Sequence, residues 1–261
     1  LIQSIVMSIA LVTVVTYGIN SAGGFAAVMD NARALPGYLS LNNTFDAANN
    51  ASNSFSFISI VSTLAWGIGY FGMPHILVRF MAIEDEKKLT LSRRIASVWV
   101  VIAMTVGIFI GVVGLAMTKA GSLENLADSE TVIVRITGLI SRHGVIAALI
   151  AGVILAGILA ATMSTSDSQL LTAASGVSQN ILHDFFHIEM DEKKSLLTAR
   201  LTIVAIAVVA VFMARNPNSS VFGIVSFAWA GFGAAFGAVM LCALFWKRST
   251  LAGAISGMVA G

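Results

Sequence analysis

Apolar stretches of membrane-crossing length recur along this chain, separated by short polar segments. They fall at about 1–20, 55–81, 95–118, 144–178, 196–214 and 219–246, and a further one begins at 249. A helix needs roughly 20 apolar residues to cross the hydrocarbon core, so the pattern predicts six spanning helices and the start of a seventh. The fourth stretch exceeds that length, which requires strong tilt or projection from the bilayer. The segment 122–140 has a different rhythm: Leu123, Leu126, Ile133, Ile136 and Ile140 recur at helical spacing among acidic residues. It predicts a short amphipathic helix on the outer face, acting either as a lid or as a plain connector.

The second span contains its own interruption, "WGIGYFGMP" at 66–74. Pro74 has no N–H to donate, and its ring opposes the carbonyl of Tyr70. Gly67, Gly69 and Gly72 each lower helix propensity by about 1 kcal/mol relative to alanine. A carbonyl freed inside lipid costs several kcal/mol unless something satisfies it, so broken backbone belongs where protein buries it or a cavity is lined by it. Gly- or Pro-interrupted spans point to the binding site of a transporter. Trp66 and Tyr70, at i and i+4, share one face, and Pro74 lies one step further. Aromatic rings beside freed carbonyls suit a small flat ring bearing a cationic amine. The same residues also fit a packed proline kink with Trp and Tyr as interface anchors.

In the fourth span Ala161, Ser164, Thr165 and Ser168 recur at i, i+3, i+4 and i+7, forming one small, hydroxyl-bearing stripe. Hydroxyls and carbonyls are hard oxygen ligands that suit a small alkali cation, while small residues equally favour close helix packing. Asp167 lies beside the stripe; a carboxylate in a span usually faces protein or water. In the sixth span Gly231, Gly233 and Gly237 allow close approach, Gly233 with Gly237 forming a GxxxG pair, and Trp229 is a candidate for facing a cavity.

Composition and charge agree with this pattern and add an orientation. The 261 residues are 57% hydrophobic and 11% charged, with mean hydropathy +0.89; soluble domains carry about 25% charged residues. Ten of the fifteen basic residues fall in alternate connections, at Arg79, Lys87, Lys88, Arg93 and Arg94, then Lys193, Lys194 and Arg200, then Lys247 and Arg248. The positive-inside rule makes those connections cytoplasmic, so the first span runs outward and the second inward. A net charge of +2 without a basic run argues against nucleic acid. Cys242 is the single cysteine, which excludes a disulfide framework. His183 and His187 lack a third ligand nearby for a metal site, and His75 suits a hydrogen-bonding role. No nucleotide loop, Rossmann fingerprint or nucleophile with an adjacent base is present. The chain is therefore read as a carrier driven by an ion gradient and not as an enzyme. It starts at Leu1 and stops within an apolar run, so it reads as a piece of a longer protein.

Three segments, "WGIGYFGMPHILVRFMA", "LAATMSTSDSQLL" and "SFAWAGFGAAFG", resemble in order the corresponding segments of the sodium–solute symporter family, and of its proline carriers in particular. The resemblance implies an all-α, polytopic membrane bundle of the leucine-transporter type. The first span would be its fifth core helix and the next five its second inverted repeat, the whole of 1–261 forming one transporter-domain fragment without the first repeat. It implies sodium-coupled import of L-proline across a bacterial plasma membrane, with sodium co-transported. By the same resemblance Trp66, Tyr70 and Pro74 contact substrate. Sodium is held by the Ala161 carbonyl and the Ser164 and Thr165 hydroxyls. Asp167, which not every member shares, and Trp229 are candidate accessory positions from their own places in the spans and not from the resemblance. The chain departs from the best-known member at Met73, where that member has glutamine. The alternatives are symport of another small solute (pantothenate, a sugar, an osmolyte or a carboxylate) and a transporter-like membrane sensor.

Overall fold

The computed structural model describes residues 2–215 and 220–261. Residues 1 and 219, assigned above to the ends of the first and sixth spans, lie outside them. Among the described residues five helices are long and apolar enough to cross a membrane, and a sixth span is formed by a bent pair at 57–81. The polytopic helical class expected from the pattern is observed. The chain divides into two compact units, Leu1–Val61 with Asp85–Thr162, and Ser62–Glu84 with Met163–Gly261.

In the first unit, α1 (Ile2–Ser21) and α5 (Glu86–Lys119) pack side by side, with α2 (Phe25–Arg33) and α6 (Val132–Ile140) against them. Ala10 and Val14 of α1, Val28 of α2, Ile110, Val113 and Met117 of α5, and Ile136 and Ile140 of α6 form the buried centre. The start of α7 (Val145–Ser175) adds Ala151 and Ile154 to it. The Tyr17 hydroxyl meets Nε2 of His143 at 3.0 Å, tying the end of α1 to the turn after α6.

The expected 122–140 helix is shorter than predicted. It starts only after a single tight turn at Ser129–Thr131, because the Asp128 carboxylate accepts the Glu130 N–H and its carbonyl accepts the Thr131 hydroxyl. Leu123 is buried from the preceding loop, and Ile136 and Ile140 are buried from the helix. The predicted apolar face is real, and it packs into the core of this unit.

The polar connection 34–56 contains a hairpin that the apolar pattern did not signal. Strand β1 (Asn43–Asp46) pairs antiparallel with β2 (Ala51–Ser54), with Asn43 opposite Ser54 and Asp46 opposite Ala51. The Asp46 carboxylate accepts from the Asn49 side-chain amide at 2.8 Å and from the Ala48 and Asn49 N–H groups, and Asn50 takes φ 47° to close the turn. These hydrogen bonds, the Asn49 side chain first, hold the Asp46 carboxyl below its ordinary 3.8.

The second unit carries the C-terminal half of α7, which widens into a π-helical segment at Gly176–Phe185, and α8 (Glu192–Met213). It also contains α9 (Val221–Phe232), which passes through a π-helical turn at Gly233–Gly237 into α10 (Ala238–Phe245), and α11 (Leu251–Ala260). Its remaining piece is the broken span.

Candidate functional site

The predicted interruption is present, and its geometry follows from the residues in it. Helix α3 (Phe57–Gly69) tightens into a 3₁₀ turn at Tyr70–Gly72. Met73 is extended, at φ −86° and ψ 110°, and α4 (Pro74–Met81) restarts with proline in its first turn. An extended residue before proline and proline at a helix start are both the low-energy choices, since that N–H has no helical partner in any case. The two halves bend by 55°. The Met73 carbonyl accepts from the N–H groups of Ile76 and Leu77 at 3.0 and 3.1 Å and starts the new helix.

The break is wrapped by the glycines of the sixth span. A Cβ at Gly69 would collide with the Trp229 indole, and one at Gly72 with the carbonyl of Phe232. In return, a Cβ at Gly233 would stand 3.0 Å from the Gly69 Cα, and one at Gly237 2.7 Å from the Ile68 carbonyl oxygen. Backbone lies against backbone on both sides, which explains why both segments are rich in glycine. Gly231, grouped with them on sequence grounds, faces open space.

Trp66, Tyr70 and Trp229 come together here. Trp229 donates its indole N–H to the Trp66 carbonyl at 3.1 Å. Its ring stacks on Trp66 at 5.8 Å and 15°, and Tyr70 meets it edge-on at 4.8 Å and 80°. Phe222 continues the stack on Trp66 at 5.7 Å and 5°. The carbonyl taken up by a partner is thus that of Trp66, in the last full turn before the break. Tyr70 is exposed and Trp66 half-buried, so the wall has one open face. Met73 is buried. Phe222 was not singled out in the sequence; an aromatic residue seven positions before Trp229 on the same helix is the signal that it shares that face.

Ser164, Thr165 and Ser168 lie within about one turn of one another on helix α7, and Ala161 precedes them in the same helix. Ala161 and Ser168 are half-buried, and Ser164, Thr165 and Asp167 are exposed. The broken span reaches this helix through Arg79 in the last turn of α4. Its Nη2 donates to Ser168 Oγ at 3.1 Å, and Ser168 in turn donates to the Thr165 carbonyl at 2.8 Å. Sequence reasoning counted Arg79 only as a loop charge; five residues beyond Pro74, it still belongs to the restarted helix. Near the far end of α7, a cleft of about 520 Å³ is lined by Gln179, His183, Met190, Glu192, Ser195 and Leu196. It contains none of the expected binding residues. His183 pairs there with Asp184 at 2.8 Å.

The arrangement gathers aromatic rings at a helix break, and carries hydroxyls on a helix face. The first suits an ammonium group on a compact apolar body, the second a hard monovalent cation.

Residues 1–261 match the model of the sodium:solute symporter family, and the chain belongs to that family. It is 37% identical over 260 residues to the osmoregulated proline transporter OpuE of Bacillus subtilis, covering 100% of this chain and 50% of that protein. It is 36% identical over 266 residues to a sodium/proline symporter of Staphylococcus aureus, covering 99% of this chain and 48% of that one. The chain therefore spans about half the length of the curated relatives it matches. No solved structure matches it.

Proposed function

We propose that this chain is part of a sodium-coupled symporter that imports L-proline across a bacterial plasma membrane. The observation that carries the reading is the interrupted second span, with Trp66, Tyr70 and Trp229 gathered at the break, in a chain of this family. The names of the two relatives support proline as the solute and sodium as the coupling ion. In this reading 1–261 is one transporter domain fragment: the fifth core helix, the second inverted repeat and the start of the helix after it.

Sodium binds the Ala161 carbonyl and the Ser164 and Thr165 hydroxyls. Proline packs its ring against Trp66 and Tyr70 near Pro74, with its ammonium toward the carbonyls of the break. Asp167 and Trp229 are accessory, Trp229 through its bond to Trp66. Coupling is reciprocal: sodium raises proline affinity by the factor by which proline raises that of sodium. Met73 favours a second reading, a related small solute, because this apolar and buried residue stands where the best-known member has glutamine.

The test is uptake of radiolabelled proline by the full-length symporter in proteoliposomes under an imposed sodium gradient. Sodium-driven accumulation is expected, with competition by proline stronger than by pantothenate, sugars or carboxylates. Ser164→Ala and Thr165→Ala are expected to raise the sodium half-saturation about tenfold at unchanged protein levels, as losing one ligand to a charged group costs roughly 1.5 kcal/mol or more. An unchanged half-saturation in both variants would remove the ion assignment.

A further inference from the structure

The contact between Arg79 and Ser168 is used by nothing in the reading above, yet it joins the broken span to the turn of α7 that follows Ser164 and Thr165. Arg79 sits in the last turn of α4, where a cation suits the helix end. Among the described residues its guanidinium meets a hydroxyl and no carboxylate, so its charge is not neutralised by a partner. Ser168 bridges it to the Thr165 carbonyl through two hydrogen bonds, of 3.1 and 2.8 Å. Three residues at about 1.5 Å rise place Ser168 less than one turn beyond Thr165. The charge alternation of the connections puts that turn on the cytoplasmic side.

We propose that Arg79 is a positioning residue for the ion. Braced on Ser168, it holds a fixed positive charge just to the cytoplasmic side of the Ser164–Thr165 hydroxyls, and this weakens sodium binding enough for release inward. The proposal rests on the symport reading and adds to it a residue that sets ion affinity without touching the ion. Two like charges on the order of 10 Å apart in a medium of effective dielectric about 20 change an equilibrium roughly tenfold.

The test measures the sodium dependence of proline binding and the maximal uptake rate in the full-length symporter. Arg79→Gln keeps a donor for Ser168 and removes the charge; it is expected to lower the sodium half-saturation about tenfold and to slow maximal uptake, because release becomes limiting. Arg79→Lys keeps the charge and is expected to stay within about twofold of the wild type. Ser168→Ala keeps the charge and frees it from its brace; a fall of about threefold is expected. A merely structural role moves these values the other way, since a loosened site binds sodium more weakly. Sodium half-saturation that is unchanged or raised in both Arg79→Gln and Ser168→Ala would overturn the proposal while leaving symport intact. Proline binding by the wild type that ignores sodium would overturn the symport reading and this inference with it.

Discussion

Trp229→Phe separates the two things that the indole does at the break. The phenylalanine ring still stacks on Trp66 and meets Tyr70, so the roughly 0.5–1.5 kcal/mol of an aromatic pair is largely kept. The N–H that Trp229 gives to the Trp66 carbonyl at 3.1 Å is lost. Such a hydrogen bond contributes about 0.5–1.5 kcal/mol net. The half-buried position of Trp66 places the effect inside that range. If about 1 kcal/mol of it appears as a wall that proline must order on binding, the proline half-saturation rises about fivefold. The assay is proline uptake by the full-length symporter at saturating sodium, with Trp229→Ala beside it; alanine loses the stack as well and is expected to shift the value further. A Trp229→Phe half-saturation equal to the wild type, with Trp229→Ala strongly shifted, would refute the role given to the hydrogen bond.

Gly72→Ala places a methyl group against the Phe232 carbonyl, a backbone atom that cannot rotate away. It is expected to cost about 1–3 kcal/mol, read as a lowered thermal unfolding midpoint in detergent, whereas Gly231→Ala, which faces open space, is expected to be neutral or slightly stabilising. The Asp46 carboxyl is held below 3.8 by its hydrogen bonds, so its contribution to the hairpin is complete above that value and is lost as pH falls through the lower folded value. Hydrogen exchange of the 43–54 segment in the full-length protein is expected to speed up at that acid end beyond its intrinsic pH dependence, and Asp46→Asn is expected to abolish the added change.

The spans were legible because apolar runs of membrane length have few other uses, and each predicted run coincides with a helix or a bent pair. The break was legible because Pro74 and three nearby glycines act on the backbone directly, whatever surrounds them. The hairpin at 43–54 was not, since Phe45 is the one large apolar residue in its strands, which are otherwise Asn, Thr, Asp, Ala and Ser and are held by backbone pairing and the Asp46 turn. The π-helical turn at Gly233–Gly237 was read only as a small-residue pair; nothing local distinguishes it, and it forms where the Ile68–Gly72 backbone presses against it. The aromatic wall was half legible: spacing put Trp66 and Tyr70 on one face, but Trp229 lies 163 residues from Trp66, and only the fold brings its N–H to that carbonyl.

The central claim, that the break in the second span is where solute binds, is tested most directly by protection of a thiol placed in it. Tyr70→Cys in a full-length symporter otherwise free of cysteine, with Cys242→Ser among the changes, presents a thiol on the open face of the wall. Alkylation by a small maleimide is predicted to slow several-fold with sodium and proline together and to change little with proline alone. Labelling at the same rate in all conditions, in a variant that still binds proline, would contradict the account.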